Sequence, residues 1–144
     1  MALFSVRDEI IEVVHRLFVY TDNREWEKLQ NEVFTETIFF DIISLGGIAK
    51  NTTAKEVCAV WQKGFERVNV ISHLCGNHLV TATETAADVF IYVTATHFKN
   101  TATKGKTREF FCTYNLHLVK TDAGWRINRF KYNLKFQTGN LDLI

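Results

Sequence analysis

The chain has 144 residues, 17 Lys+Arg against 16 Asp+Glu, 47% apolar residues and no Pro. That length holds one domain over residues 1–144, with roughly 68% of the unfolded surface available for burial, and it excludes a multidomain enzyme or a disulfide-dependent miniprotein. A formal net charge of +1 excludes a general attraction to nucleic acid or anionic membrane, and the longest apolar run, Val89 to Val93, is far short of the ~20 residues of a membrane helix.

Met1-Ala-Leu-Phe-Ser5 does not open a basic segment, apolar core and cleavage site in succession, so no secretory signal is expected. Cys58, Cys75 and Cys112 are odd in number and unpatterned, which suits a reducing, cytoplasmic location.

The first half is helical by period. Ser5-Val-Arg-Asp8 opens like a capping box, after which Ile10, Ile11, Val13, Val14, Leu17 and Phe18 share one face. Asp22-Asn-Arg-Glu25 reads as a second cap before a short helix carrying Trp26 and Leu29. Ile38 to Ile43 reads as a short strand that runs out at Ser44-Leu-Gly-Gly47. A third box, Thr53-Ala-Lys-Glu56, starts a helix with Val57, Val60, Trp61, Phe65 and Val68.

The second half switches to period two. Strands are expected at 71–81, 87–99, 107–120 and 125–136, rich in Val, Ile, Thr, Phe and Tyr and joined by short polar turns. Short turns require antiparallel hairpins. A strand as long as 107–120 spans roughly 45 Å, against a diameter of roughly 37 Å for a globule of this size, so the sheet must curl. Asn128-Arg129 is a candidate bulge, because the apolar parity of Trp125 and Ile127 shifts there to Phe130, Tyr132 and Leu134. The expected fold is α+β: three N-terminal helices over a strongly curved antiparallel sheet, forming a cone.

Polar side chains on apolar faces are the informative ones. His73 shares parity with Cys75, Asn77 and Leu79, and His97 is the polar member of a face built by Val89, Ile91, Val93 and Ala95. Asp22 reads equally as a helix cap, and either histidine as a hydrogen-bonded residue of the sheet surface. On the next strand Phe110, Cys112, Tyr114, Leu116 and Leu118 form the greasier face, so parity alone sends Thr113 and Asn115 to solvent. His15 is expected to face water. His73, Cys75, His78, His97, Cys112 and His117 offer ligand types, but the His-x-Cys-x-x-His spacing matches no standard zinc pattern. Strand parity also sends His73 and His78 to opposite faces, so no metal ligand is assigned. Neither a phosphate-cradling glycine loop nor a serine nucleophile elbow is present.

Helix, helix, short strand, helix and four long strands is the order of the nuclear transport factor 2-like superfamily. The chain resembles its SnoaL-like branch over roughly residues 5–136, through Phe18-Val-Tyr-Thr-Asp22-Asn-Arg-Glu-Trp26, Phe34-Thr-Glu-Thr-Ile-Phe-Phe-Asp41, Ser72-His73 and Gly124-Trp-Arg-Ile127. Within that branch the pattern is partly similar to scytalone dehydratase. Asp22 stands four residues before Trp26, His73 three before Gly76, and Thr113 two before Asn115-Leu-His117, with His97 near the second histidine position. The resemblance implies that Asp22, His73 and His97 are catalytic and that Thr113 and Asn115 bind substrate. The two tyrosines that serve the dehydratase are replaced here by Thr21 and by Asp41 or Ile42.

The expectation is therefore a hydrophobic small-molecule pocket with cofactor-free dehydratase, isomerase or cyclase chemistry. His73 would be the general base, Asp22 would orient one of the two histidines, and Thr113 or Asn115 would donate to the substrate oxygen. The alternative is a non-catalytic lipophile binder or dimeric scaffold of the same fold. Phe90, Tyr92 and Phe98 lie opposite the His97 face, which predicts a homodimer through the sheet. Neither nucleic acid nor membrane is an expected partner.

Overall fold

A computed structural model describes residues 4–144; residues 1–3, part of the segment read for a signal peptide, lie outside it. Helix α1 (Val6–Asp22) starts at the expected box: the Ser5 side chain accepts from the Asp8 backbone N–H, and Asp8 accepts from that of Ser5. A single turn, α2 (Trp26–Lys28), runs into a π-helical turn at Leu29–Val33. The N-cap of α2 is Glu25, without a side-chain cap bond. Asp22 is not this helix's cap; it ends α1 and is used elsewhere. Helix α3 (Ala54–Phe65) is capped by Thr53, whose hydroxyl accepts from the Glu56 N–H.

Six strands follow the order β2-β1-β6-β5-β4-β3 in one open sheet. They are β1 (Phe34–Asp41), β2 (Ala49–Thr53), β3 (Val70–Ala82), β4 (Ala86–Phe98), β5 (Thr107–Thr121) and β6 (Gly124–Gly139). The last four are the expected hairpins. β2 had no sequence signal: it is polar, and it exists by pairing with β1 from Ala49 to Thr53. β1 joins β6 in parallel, the one departure among the described residues from an antiparallel sheet. The intervening chain from α3 to β5 supplies the long crossover that a parallel pair needs.

Bulges curl the sheet. In β6, Asn128 is the extra residue between the pairs His117↔Arg129 and Leu118↔Ile127, at the expected place. Lys135 is a second, between Phe111↔Phe136 and Cys112↔Leu134. β3 carries a third between Gly76 and Leu79, where Asn77 has φ 57. Asn is among the few side chains that tolerate that left-handed backbone.

The concave side of the sheet buries the apolar stripe of α1 (Ile10, Val13, Val14, Leu17, Phe18) and Val57 and Cys58 of α3 against Val89, Ile91, Val93, Leu116, Leu118 and Ile127. Each large side chain so buried contributes about 1.5–3 kcal/mol. Val60, expected on the inner stripe of α3, is 68% exposed. It lies about 100° around the helix from Trp61, which faces inward.

Candidate active site

The helices do not fill the concave side. A cavity of about 200 Å³ remains between α1, α3 and the sheet. Leu17, Phe18, Trp61, Phe65, Phe110 and Phe130 make its wall mainly apolar, and Thr21, His73, His97, Tyr114 and Tyr132 are its polar members. Ile42 and Leu45, between β1 and β2, line the outer end, where Leu45 is 44% exposed.

Asp22 and His73 form a pair across α1 and β3. Asp22 Oδ1 is 2.5 Å from His73 Nδ1, and Oδ2 accepts the His73 backbone N–H at 2.9 Å. An ionised carboxylate only accepts, so Nδ1 carries a proton, and in the uncharged form of the ring the lone pair lies on Nε2. The His73 side chain is 8% exposed and tilts against the Phe18 ring at 5.5 Å. The carboxylate stands behind the imidazole, away from the cavity lining.

His97 has the opposite polarity. Its Nδ1 accepts the Nε–H of Arg108 at 2.9 Å. A guanidinium only donates, so neutral His97 carries its proton on Nε2. The ring is clamped by Phe65 at 5.0 Å and Phe110 at 5.4 Å. Burial, then the charges of Arg108 and His73, push its pKa down to about 3. At neutral pH it is an uncharged N–H donor. Ile71 faces His97 and His73 faces Ala95 across the β3–β4 ladder. The two histidines are therefore diagonal neighbours on one face, with Cα atoms about 7–8 Å apart.

Two further polar groups were missed from sequence. Tyr114 and Tyr132 are cross-strand partners whose rings sit 5.3 Å apart inside the cavity. Burial holds the Tyr114 phenol well above its usual range, with Cys112, Tyr132 and Asp22 adding to the effect. Burial, then the neighbouring Cys112 thiol, does the same for Tyr132. Both stay protonated as donors. Their signal was present in the parity that groups Tyr114 with Phe110 and Cys112, and Tyr132 with Phe130: a phenol on a greasy inward face brings a hydroxyl into the interior.

His73 and His97 thus line one cavity, with Asp22 behind His73, but Thr113 and Asn115 do not line it. Both side chains lie on the other face of β5 from Tyr114. The β4–β5 ladder runs from Ala86↔Val119 to Phe98↔Thr107 without a shift, so no bulge changes their parity. The extra residue at Lys135 belongs to the neighbouring strand. Thr113 is buried between the Tyr92 and Asn133 positions, and exposed Asn115 accepts from Asn133 Nδ2 at 2.8 Å. Parity assigns the face of both residues, against the pocket role drawn from resemblance, but only Asn115 reaches solvent there, since Thr113 is buried on that face.

The bulge in β3 also corrects the placement of His78. The extra residue turns it back toward α1, the side His73 faces, and its Nε2 lies 3.0 Å from Nε2 of His15. His15 is accordingly half-buried, not a solvent-facing residue.

Comparison with known proteins agrees with this architecture. The sequence model of the SnoaL-like domain matches residues 4–131. The chain belongs to the SnoaL-like family. Among solved structures, Kfla4162 from Kribbella flavida is 24% identical with a TM-score of 0.87, covering 95% of each chain. A candidate scytalone dehydratase from Novosphingobium aromaticivorans DSM 12444 is 18% identical with a TM-score of 0.78, over 90% of this chain and 83% of that one. The hexachlorocyclohexane dehydrochlorinase LinA-type3 from Novosphingobium barchaimii LL02 is 12% identical with a TM-score of 0.75, over 94% and 90%. At these identities the likeness is one of fold, the nuclear transport factor 2-like cone. No curated protein matches the sequence. No helix among the described residues is long and apolar enough to cross a membrane.

Proposed function

We propose that this SnoaL-like domain binds a compact hydrophobic carbonyl compound and catalyses cofactor-free proton transfer on it, by dehydration or isomerisation. The observation that carries the reading is the pairing of opposite tautomers. His73 has its free lone pair on Nε2 because Asp22 holds Nδ1–H, and His97 has its proton on Nε2 because Arg108 occupies Nδ1. A base and a neutral acid side by side on an apolar wall suit removal of a proton next to a carbonyl.

In this scheme the His73 Nε2 lone pair takes the α-proton, and Asp22 stabilises the imidazolium that forms. The electron pair moves onto the carbonyl oxygen, where His97 Nε2–H and the Tyr114 or Tyr132 hydroxyl hydrogen-bond it. Return of the proton to the far carbon completes an isomerisation. Expulsion of a β-hydroxyl with the same proton completes a dehydration, releasing water. A 150 Å³ apolar cavity accepts benzene, so about 200 Å³ suits a substituted single ring or a small bicycle. The eliminating enzymes named among the structural neighbours, a dehydratase and a dehydrochlorinase, support this class of chemistry.

The test is deuterium exchange at the α-carbon of a panel of compact cyclic and phenolic ketones, followed by NMR. Exchange above the buffer rate that is lost in His73→Ala supports the reading. Exchange and ligand binding equal in wild type, His73→Ala and Asp22→Asn would overturn it.

The outer face of the sheet favours a second, compatible reading, self-association. Leu74 is 77% exposed, Phe136 54% and Tyr92 41%, and they surround one shallow groove with Phe111. We infer that a second copy covers this face, as the apolar groups opposite His97 led one to expect.

A further inference from the structure

Away from the cavity, α1 and β3 bring three metal-binding side chains together. His15 on α1 and Cys75 and His78 on β3 each offer one donor atom, and all three atoms lie within 4.8 Å of one another. The two Nε2 atoms are 3.0 Å apart. All three residues are half-buried, so an ion can reach them from solvent.

We propose that His15, Cys75 and His78 form a binding site for a late first-row divalent ion of the Zn²⁺ class, with solvent completing the tetrahedron. Zinc binds imidazole nitrogen at 2.0–2.1 Å and thiolate at ~2.3 Å, which separates two such nitrogens by about 3.3 Å and a nitrogen from a sulfur by about 3.6 Å. The imidazoles stand a few tenths of an ångström inside that spacing, and the thiol, within 4.8 Å of both nitrogens, has about an ångström to close at most.

The frame for this is already rigid. Asp22 clamps His73 seven residues further along α1, and Arg7 Nη2 bonds the His78 carbonyl at 3.4 Å on the other side. The backbone that turns His78 toward the helix is the Asn77 bulge, which keeps the histidine on the same side as Cys75. Without an ion, one imidazole donates its Nε2–H to the other. On binding, that ring shifts its proton to its own Nδ1 by exchange with solvent, the thiol proton is released, and the ion takes the three lone pairs. A donor set of two nitrogens and one sulfur, with no oxygen, selects Zn²⁺, Co²⁺ or Cu²⁺ over Mg²⁺ and Ca²⁺. The ion would tie α1 to β3 beside the Asp22–His73 pair, and so raise the melting temperature.

The test titrates Zn²⁺ into the chelator-stripped full chain against a chromophoric competitor, and Co²⁺ by near-ultraviolet absorption. Expected are one equivalent of Zn²⁺ per chain, and a thiolate-to-cobalt charge-transfer band that Cys75→Ser abolishes. Loss of an outer-shell partner alone weakens metal sites by ~10–100-fold, so Cys75→Ser and His78→Gln are each expected to weaken Zn²⁺ at least that much. His117→Gln, on β5, should leave it unchanged. Metal-free melting curves show whether the variants fold; if either β3 variant does not, His15→Gln on the helix gives the same comparison. No stoichiometric Zn²⁺ binding, or an affinity indifferent to these substitutions, would overturn the site.

Discussion

Asp22 holds His73 at two points: Oδ1 meets the imidazole Nδ1 at 2.5 Å and Oδ2 takes the backbone N–H at 2.9 Å. Helix and strand are thereby joined by one carboxylate, and the same contact selects the imidazole tautomer of a residue that lines the cavity. Orientation and protonation pattern have a single cause.

Asp22→Asn keeps the shape of this contact but not its acceptor pair. The amide satisfies one of the two N–H groups and puts its own donors against the other. The expected result is a fall of ~10²–10⁴-fold in α-proton exchange, with ligand affinity nearly unchanged. Single-turnover exchange and a binding titration on the same ketone separate the two effects. Equal losses in both would show that Asp22 shapes the pocket and does not position the base.

His97 predicts a pH dependence of stability. Its pKa is pushed down to about 3 in the folded chain, from 6.5. Below pH 6.5 the unfolded chain binds a proton that the folded chain refuses until about pH 3. Stability from this residue is therefore lost as the pH falls through that window, by at most about 1.4 kcal/mol per pH unit. Urea unfolding at intervals from pH 7 to pH 4 should show a shallower decline for His97→Gln than for wild type. Parallel curves would mean that the histidine is not the buried neutral group described.

Arg108 supports the same residue. Removing its charge in Arg108→Met raises the His97 pKa, while burial, the larger cause, keeps it below the ordinary value. Two-dimensional NMR of the imidazole through the acid range reads the shift directly. The variant should also slow α-proton exchange, because His97 Nδ1 is then free to take the proton and Nε2 loses its fixed role as donor.

Tyr114→Phe removes one hydroxyl from the cavity and little else. Stability should change by no more than about 1 kcal/mol. If this phenol stabilises the developing oxyanion, exchange falls by ~10²–10³-fold. Tyr132→Phe also breaks the contact with Cys112, so it is the less clean of the pair. An unaltered rate in Tyr114→Phe would leave His97 as the oxyanion donor.

The outer face carries its own prediction. Leu74→Glu with Phe136→Lys should convert a dimer at micromolar concentration to a monomer, seen by light scattering, without loss of helix or sheet signal. A wild-type monomer at that concentration would dispose of the sheet-to-sheet pairing.

Local information sufficed for the helices and the four long strands, and for one of the bulges that curl the sheet. Ser5 and Thr53 announce their helices because a cap is satisfied within three residues, and the parity break at Asn128 marks a bulge in the strand that contains it. His97 stood out as the polar member of an apolar face, and it is indeed buried. Long-range pairing was another matter. Asp22 and His73 are separated by 51 residues, so nothing near Asp22 distinguishes a cap from a partner. β2 has no pattern of its own, because its partner strand holds it in place. Asn77 follows Gly76, a pair that permits a left-handed residue, but permission is not occurrence; only the β3–β4 register decided the bulge and with it the side on which His78 lies. Thr113 and Asn115 show the converse, since strand parity is a local property and it assigned their face, although Thr113 is buried there and does not reach solvent. Period and capping energy act between neighbours along the chain and are written there. Which two distant side chains share a cavity depends on how the sheet bends and where the helix settles, and packing of the whole domain chooses that.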